Sequence, residues 1–164
     1  MDDSVIEWLL SGDPAIRWQV RCDLIDAAPA AVEADRNLVA TEGWGAGFLS
    51  QQAADGRWGG GLYSPKWIST TYTLLTLERL GLADANPAAA AGTRLLVDAG
   101  MADHGGITFW PSRPEGEACV TGMVLKLTSR FLPEDRARDR IVEHLAGRQL
   151  PDGGWNCQDV NGAT

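Results

Sequence analysis

The chain of 164 residues carries 14 basic and 22 acidic side chains, a net charge of −8, and is 45% hydrophobic. That apolar content at about one domain's length excludes a chain that is mainly disordered, and an acidic balance without a basic stripe excludes a nucleic-acid partner. Cys22, Cys119 and Cys157 are too few and too scattered for a disulfide framework; no basic-then-apolar leader opens the chain and no uncharged apolar run approaches ~18 residues, so a cytoplasmic protein without a transmembrane segment is expected.

Helices are expected throughout. Ser4-x-x-Glu7 reads as a capping box opening a short helix with Ile6, Leu9 and Leu10 inward. Asp13-Pro14 gives an N-cap and a proline at the first helical position of a second helix, with Ile16, Val20 and Leu24 at helical spacing. An Ala-rich helix follows from Pro29 to Thr41, then a short one around Phe48 and Leu49. From Trp67 to Leu80, Ile68, Tyr72, Leu74, Leu75 and Leu77 spread around more than one face, as in a helix packed on most sides. Asn86-Pro87 opens a helix that stops at Gly100. Val120, Met123, Val124, Leu127 and Phe131 give the clearest amphipathic stripe. A last helix starts at Pro133-Glu134-Asp135; its Arg136, Arg138 and Arg140 alternate with acids and read as a solvated face, with His144 also at the surface. No run of alternating β-branched residues marks a sheet, so the fold class is all-α, with amphipathic outer and largely buried inner helices.

Seven Trp beside nineteen Gly point to a recurring motif. Gln52-Ala-Ala-Asp55-Gly56-Arg57-Trp58 and Gln149-Leu-Pro-Asp152-Gly153-Gly154-Trp155 are near copies, each after a helix. A degenerate copy, Asp103-His104-Gly105-Gly106, reaches Trp110. A period near fifty residues indicates stacked helix-pair units. Asp-Gly supplies a tight turn, the Gln amide ties backbone groups at a helix end, and the Trp ring covers the turn. Residues 1–41 then form N-terminal helices and 42–164 the repeats, within one compact domain.

The Gln-x-x-Asp-Gly-x-Trp loop resembles the QW motif of squalene cyclases, found in looser form in protein prenyltransferases. The resemblance covers about residues 42 to 164 and implies an α/α toroid of inner and outer helices around an apolar cavity. It also implies an isoprenoid, or another apolar small molecule, as ligand. A closed toroid needs roughly twice this many helices, so a partial ring is expected, completed by a homodimer or a missing C-terminal half. The uncovered edge would be that of the 120–131 helix, at Met123 and Leu127. The Asp-x-Asp-Asp acid of the cyclases and the Asp-Asp-x-x-Asp of ionising terpene synthases are absent, and Asp2-Asp3 is no substitute.

Protein prenyltransferases bind zinc through Asp-x-Cys and a later His. By that resemblance Glu117 and Cys119 would be ligands, with Cys157 or His104 completing a site with an open position. The alternative is structural: Cys119 as a small buried residue at a helix start, and Glu117 favoring that helix end. Cys119 is also a candidate nucleophile, since a helix N-terminus lowers a thiol pKa, with His104 as its base. Three functions follow: an apolar-ligand-binding repeat protein, a non-catalytic scaffold for a protein partner, or a zinc-dependent prenyl-transfer enzyme. The Arg-to-Lys imbalance among the 14 basic residues fits a GC-rich bacterial coding bias.

Overall fold

A computed structural model describes residues 3–157; Asp2 and the last seven residues of the repeat region lie outside them. Among the described residues the protein is all-helical, with eight helices and no sheet. They are α1 (Asp3–Leu10), α2 (Pro14–Asp23), α3 (Pro29–Leu38), α4 (Gly43–Leu49), α5 (Thr70–Leu80), α6 (Pro87–Gly100), α7 (Ala118–Phe131) and α8 (Arg136–Gly147). None is long and apolar enough to cross a membrane.

The caps at Asp13, Asn86 and Asp135 form as the sequence suggests, whereas Ser4 lies inside α1, which begins at Asp3, and not ahead of it as a capping box requires. Asp13 accepts from Ala15 N–H at 2.9 Å, with Pro14 as the first residue of α2. Asn86 accepts from Ala88 and Ala89 N–H, and Asp135 from Ala137 N–H. α2 and α3 pair through Asp35, which takes Arg17 Nε at 2.8 Å and Arg21 Nε at 2.5 Å. Burial alone would raise the Asp35 pKa, but the two guanidinium hydrogen bonds outweigh it and the carboxyl is held below its ordinary range. This N-terminal group is tied to the repeats by Trp18 Nε1, which donates to Leu80 O at 2.7 Å, and by Arg36 Nε, which donates to Gly81 O.

The core lies in the repeats. α5 and α7 pack on each other, α6 packs on both, α4 flanks α5 and α8 flanks α7. Leu74, Leu77, Leu96, Val120, Val124, Leu127 and Ile141 are fully buried there. Two expectations fail at this point. Leu127 sits in the core because the α7 stripe is covered by α5, α6 and α8, and Met123 is half-buried, so neither marks an open edge. The helix expected from Trp67 begins only at Thr70, because the preceding segment turns back to bond the helix start. Thr70 and Thr71 hydroxyls donate to Gly61 O and Leu62 O, which leaves Trp67 and Ile68 outside the helix and exposed.

The repeat is built from one hydrogen-bond pattern used three times. In the first loop Ala53 N–H donates to Arg57 O, Gly56 N–H to Ala53 O, and Arg57 N–H to the Asp55 carboxylate. In the third, Leu150 N–H donates to Gly154 O, Gly153 N–H to Leu150 O, and Gly154 N–H to Asp152. The second loop repeats both backbone bonds through Ala102, Gly105 and Gly106, and Gly106 N–H donates to His104 Nδ1 at 3.1 Å. Gly56, Gly105 and Gly153 take φ of +82°, +88° and +85°, a conformation that disfavors any side chain. His104 therefore stands where the other loops have Asp.

This register corrects the degenerate copy. Ile107, and not Trp110, comes two residues after the positive-φ glycine, as Trp58 and Trp155 do in their loops; it lies 49 residues after Trp58 and 48 before Trp155. Trp58 N–H donates to Thr70 Oγ1 at 3.1 Å and Ile107 N–H to Thr121 Oγ1 at 3.0 Å, so the first loop is bonded to the start of α5 and the second to the start of α7. The ring at the first position is accommodated by Gly92 on α6, where a Cβ would come within 2.7 Å of the Trp58 ring. The position 49 residues on, Ile141 of α8, is fully buried in the same core cluster as Ile107. The first unit thus has Trp and Gly at these two positions and the second Ile and Ile.

Candidate functional site

Helix α5 is preceded by a tight glycine segment. Gly59 and Gly60 have φ of +57° and +71°, and Gly61 packs so closely on Ser64 O that a side chain would collide. This folds Tyr63 back over Tyr72 of α5, with ring centroids 5.3 Å apart. From the second loop, Trp110 meets Tyr63 edge-on at 4.9 Å and Phe109 lies 6.3 Å away. Trp67 extends the run on the other side, 5.1 Å from Tyr72. Trp67 holds φ of +74° and is 76% exposed, a strained backbone carrying a large apolar ring into water.

Beside this aromatic run lies an open cleft of about 620 Å³. Leu62, Tyr63, Phe109, Trp110 and Pro111 line it, and Arg57 stands at its rim. Its size falls within the range of small-molecule pockets. The Tyr63 hydroxyl is held well above its ordinary pKa, first by its hydrogen bond with Tyr72, then by burial and the nearby Cys119 and Glu117. The phenol stays neutral there, so the cleft offers an uncharged hydroxyl and π faces.

The cysteines form a second, smaller feature. Cys119 in the first turn of α7 and Cys157 after the third loop face the same cavity, and both are exposed free thiols. With Ala118, Gly122, Leu145 and Trp155 they line a cavity of about 250 Å³. Cys119 is thus neither a buried structural residue nor an activated nucleophile. Desolvation, then the Cys157 thiol and the Glu117 carboxylate, push its pKa up to about 11 and outweigh the helix N-terminus. At neutral pH it is protonated.

Glu117 forms an ion pair with Arg113. His104 is engaged elsewhere: Nδ1 accepts from Gly106 N–H, so Nε2 carries the proton and donates to Pro114 O at 2.9 Å. His144 is half-buried and stacks on it, centroids 4.9 Å apart, and its Nδ1 donates to His104 O at 3.2 Å. Desolvation, then the charges of His104 and Arg148, lower the His144 pKa. The structure brings Cys119 and Cys157 together near Glu117 but commits His104 to loop closure. Among the described residues no three His, Cys, Asp or Glu side chains gather as a metal site requires. Two thiols, with the carboxylate held by an arginine and the imidazole spoken for, do not fit the zinc set that the resemblance implied.

Sequence reasoning missed Tyr63, Trp67, Tyr72, Phe109 and Trp110 as a group. The available signal was the density of aromatic residues in the Gly- and Pro-rich stretches 59–69 and 105–116. The repeat residues it did single out stand where expected: Gln52 Nε2 donates to Gly56 O and Gln149 Nε2 to Gly153 O. Compared with protein-family models, with curated proteins and with solved structures, the chain matches none.

Proposed function

We propose that the protein binds an elongated apolar small molecule, of the isoprenoid class, in the cleft between its first and second loops. The observation that carries this reading is the aromatic lining of the cleft by Tyr63, Phe109 and Trp110, continuous with Tyr72 and Trp67. Aromatic walls contribute large contact area to an apolar chain, and the neutral Tyr63 hydroxyl and the Arg57 guanidinium at the rim supply the few polar contacts that orient one end. The resemblance of the loops to QW motifs supports the isoprenoid class and a partial helix-pair ring. Titration with farnesol, followed by tryptophan fluorescence, tests the reading: a saturable change is expected, reduced at least tenfold in affinity by Trp110→Ala. Saturation unaffected by Trp110→Ala and Tyr63→Ala, or no saturation, would refute it.

A scaffold role is favored by one specific observation. Trp8, Trp44 and Trp67 are all strongly exposed, and exposed indole rings are available to a protein partner. In that reading the cleft is incidental, and the farnesol titration is flat.

A further inference from the structure

We propose that His104 and His144 form a pH-sensitive latch on the wall of the cleft: with both rings neutral the segment 110–116 is held in place, and a proton taken up by His104 releases it. This segment gives the cleft Trp110, Pro111 and Pro114. Its ends are fixed by Trp110 N–H on Thr108 Oγ1 and by Glu117 N–H on Ile107 O. Its middle is joined to the second loop by the His104 imidazole, whose Nε2–H donates to Pro114 O at 2.9 Å. The other nitrogen of the same rigid ring, Nδ1, accepts from Gly106 N–H at 3.1 Å. One ring thus closes the loop with one nitrogen and holds the wall with the other. In the first and third loops Asp55 and Asp152 close the turn, and a carboxylate has no donor to offer a second segment.

The geometry requires a neutral His104. His144 stacks on it with the two Nδ1 atoms 3.3 Å apart, and the His144 Nδ1–H donates to His104 O. A proton on His104 Nδ1 would face two donors, Gly106 N–H and His144 Nδ1–H. Turning the ring away relieves that conflict and withdraws Nε2–H from Pro114 O. A proton on His144 goes to Nε2 and leaves its Nδ1 bond in place. His104 is therefore the moving part, and His144 the ring that opposes its proton. Both rings pack directly on the loop backbone, since a Cβ at Gly106 would come within 2.8 Å of each. The other charged groups around the pair are Asp103 in the loop, Arg140 and Arg148 from the α8 side, and Arg113, Glu115 and Glu117 from the wall segment. Arg140 donates to Ala102 O and Asp103 O, and Arg113 is paired with Glu117. Among the described residues no carboxylate bonds either ring. Desolvation, then the charges of His104 and Arg148, already lower the His144 pKa. Histidine changes charge between about pH 5 and 8, which sets the window in which the latch works.

The effect on a ligand rests on the cleft being the binding site, whereas the wall movement does not, and the two are read separately. Indole N–H signals of the full chain are followed by NMR from pH 8 to 5, with Trp110 assigned through Trp110→Phe and the histidine rings observed in the same samples. The expected result is a shift of the Trp110 signal with the midpoint of the His104 ring, while the core Trp58 signal stays in place. His104→Asp keeps an acceptor for Gly106 N–H, as in the other loops, but offers Pro114 no donor. Its Trp110 signal should sit at the acid position of the parent chain and not move with pH. His144→Phe provides a second variant, which removes the opposing donor and should move the Trp110 midpoint to higher pH. A Trp110 signal that does not move in the parent chain, or that moves unchanged in His104→Asp, overturns the latch. So does loss of the Trp58 signal at the same midpoint, which would mean global unfolding. Farnesol affinity should fall about tenfold from pH 8 to 5, as it would if the latched fraction fell about tenfold, and should not fall in His104→Asp. Equal affinity at both pH values overturns the regulation of binding. Farnesol that binds at neither pH refutes the ligand reading alone, and the Trp110 titration still decides the latch.

Discussion

Trp58 and Trp155 donate the same hydrogen bond over the same interval, to Phe48 O and Leu145 O at 2.7 Å each, although one ring is in the core and the other at the surface. The bond is therefore a property of the loop and the burial a property of its neighbor. Trp58→Ala should cost about 3–5 kcal/mol, as for large buried aromatic residues, and Trp155→Ala clearly less. Denaturant midpoints at unchanged slope measure the difference; equal shifts would contradict the assignment.

Gly92 and Trp58 should behave as a coupled pair. Gly92→Ile should destabilize by roughly 1–3 kcal/mol through overpacking, since even a Cβ would lie 2.7 Å from the ring. Trp58→Ile should also destabilize, by leaving a void. The double variant, which copies Ile107 and Ile141, should lose less than the sum of the two. A double-mutant cycle reads this coupling directly; simple additivity would count against the equivalence of the units.

The histidine-closed loop should respond to acid. The His144 pKa is lowered in the folded protein, so the folded state binds fewer protons than the unfolded one in that range. Its contribution to stability is complete above the ordinary histidine pKa and is lost as pH falls from there through the lowered folded-state pKa. His104→Asp should raise the His144 pKa by placing a carboxylate beside it and should flatten or reverse this slope. Urea midpoints between pH 8 and 5 and an NMR titration of His144 test both statements; an unchanged His144 titration would refute them.

Cys119 should be a sluggish thiol. With its pKa near 11, alkylation by iodoacetamide should be slow at pH 7 and should still be rising at pH 10. Cys157→Ala removes one of the two neighbors that raise the pKa and should accelerate the reaction at pH 8. A rate that plateaus by pH 8 in the parent chain would overturn this account.

The helices were legible because their signals are local. Asp13-Pro14 and Asn86-Pro87 cap the elements they announce, and the Val120–Phe131 stripe is the inward face of α7. The start of α5 was misplaced because Trp67 and Ile68 continue an apolar pattern whose helix is interrupted by threonine bonds to Gly61 and Leu62, and these are contacts between loop and helix. The second repeat was misregistered because tryptophan was taken as its marker. Its glycine turn was the better guide, since φ near +88° admits few substitutes whereas a covering ring can be exchanged for Ile107 if the facing helix changes too. The cleft was invisible in the sequence because Tyr63 and Trp110 meet only when two loops fold toward each other. The proposed ligand class rests on the resemblance together with that lining.

The exchange of Trp–Gly for Ile–Ile also bears on how such a chain can be rearranged. A shuffled gene that placed α8 against the first loop would drive Ile141 into the Trp58 ring, and one that placed α6 against the second would leave a hollow between Gly92 and Ile107. The units share one backbone plan yet are not interchangeable parts. The first loop accepts its helix by size, because the Trp58 ring leaves room for no side chain at Gly92.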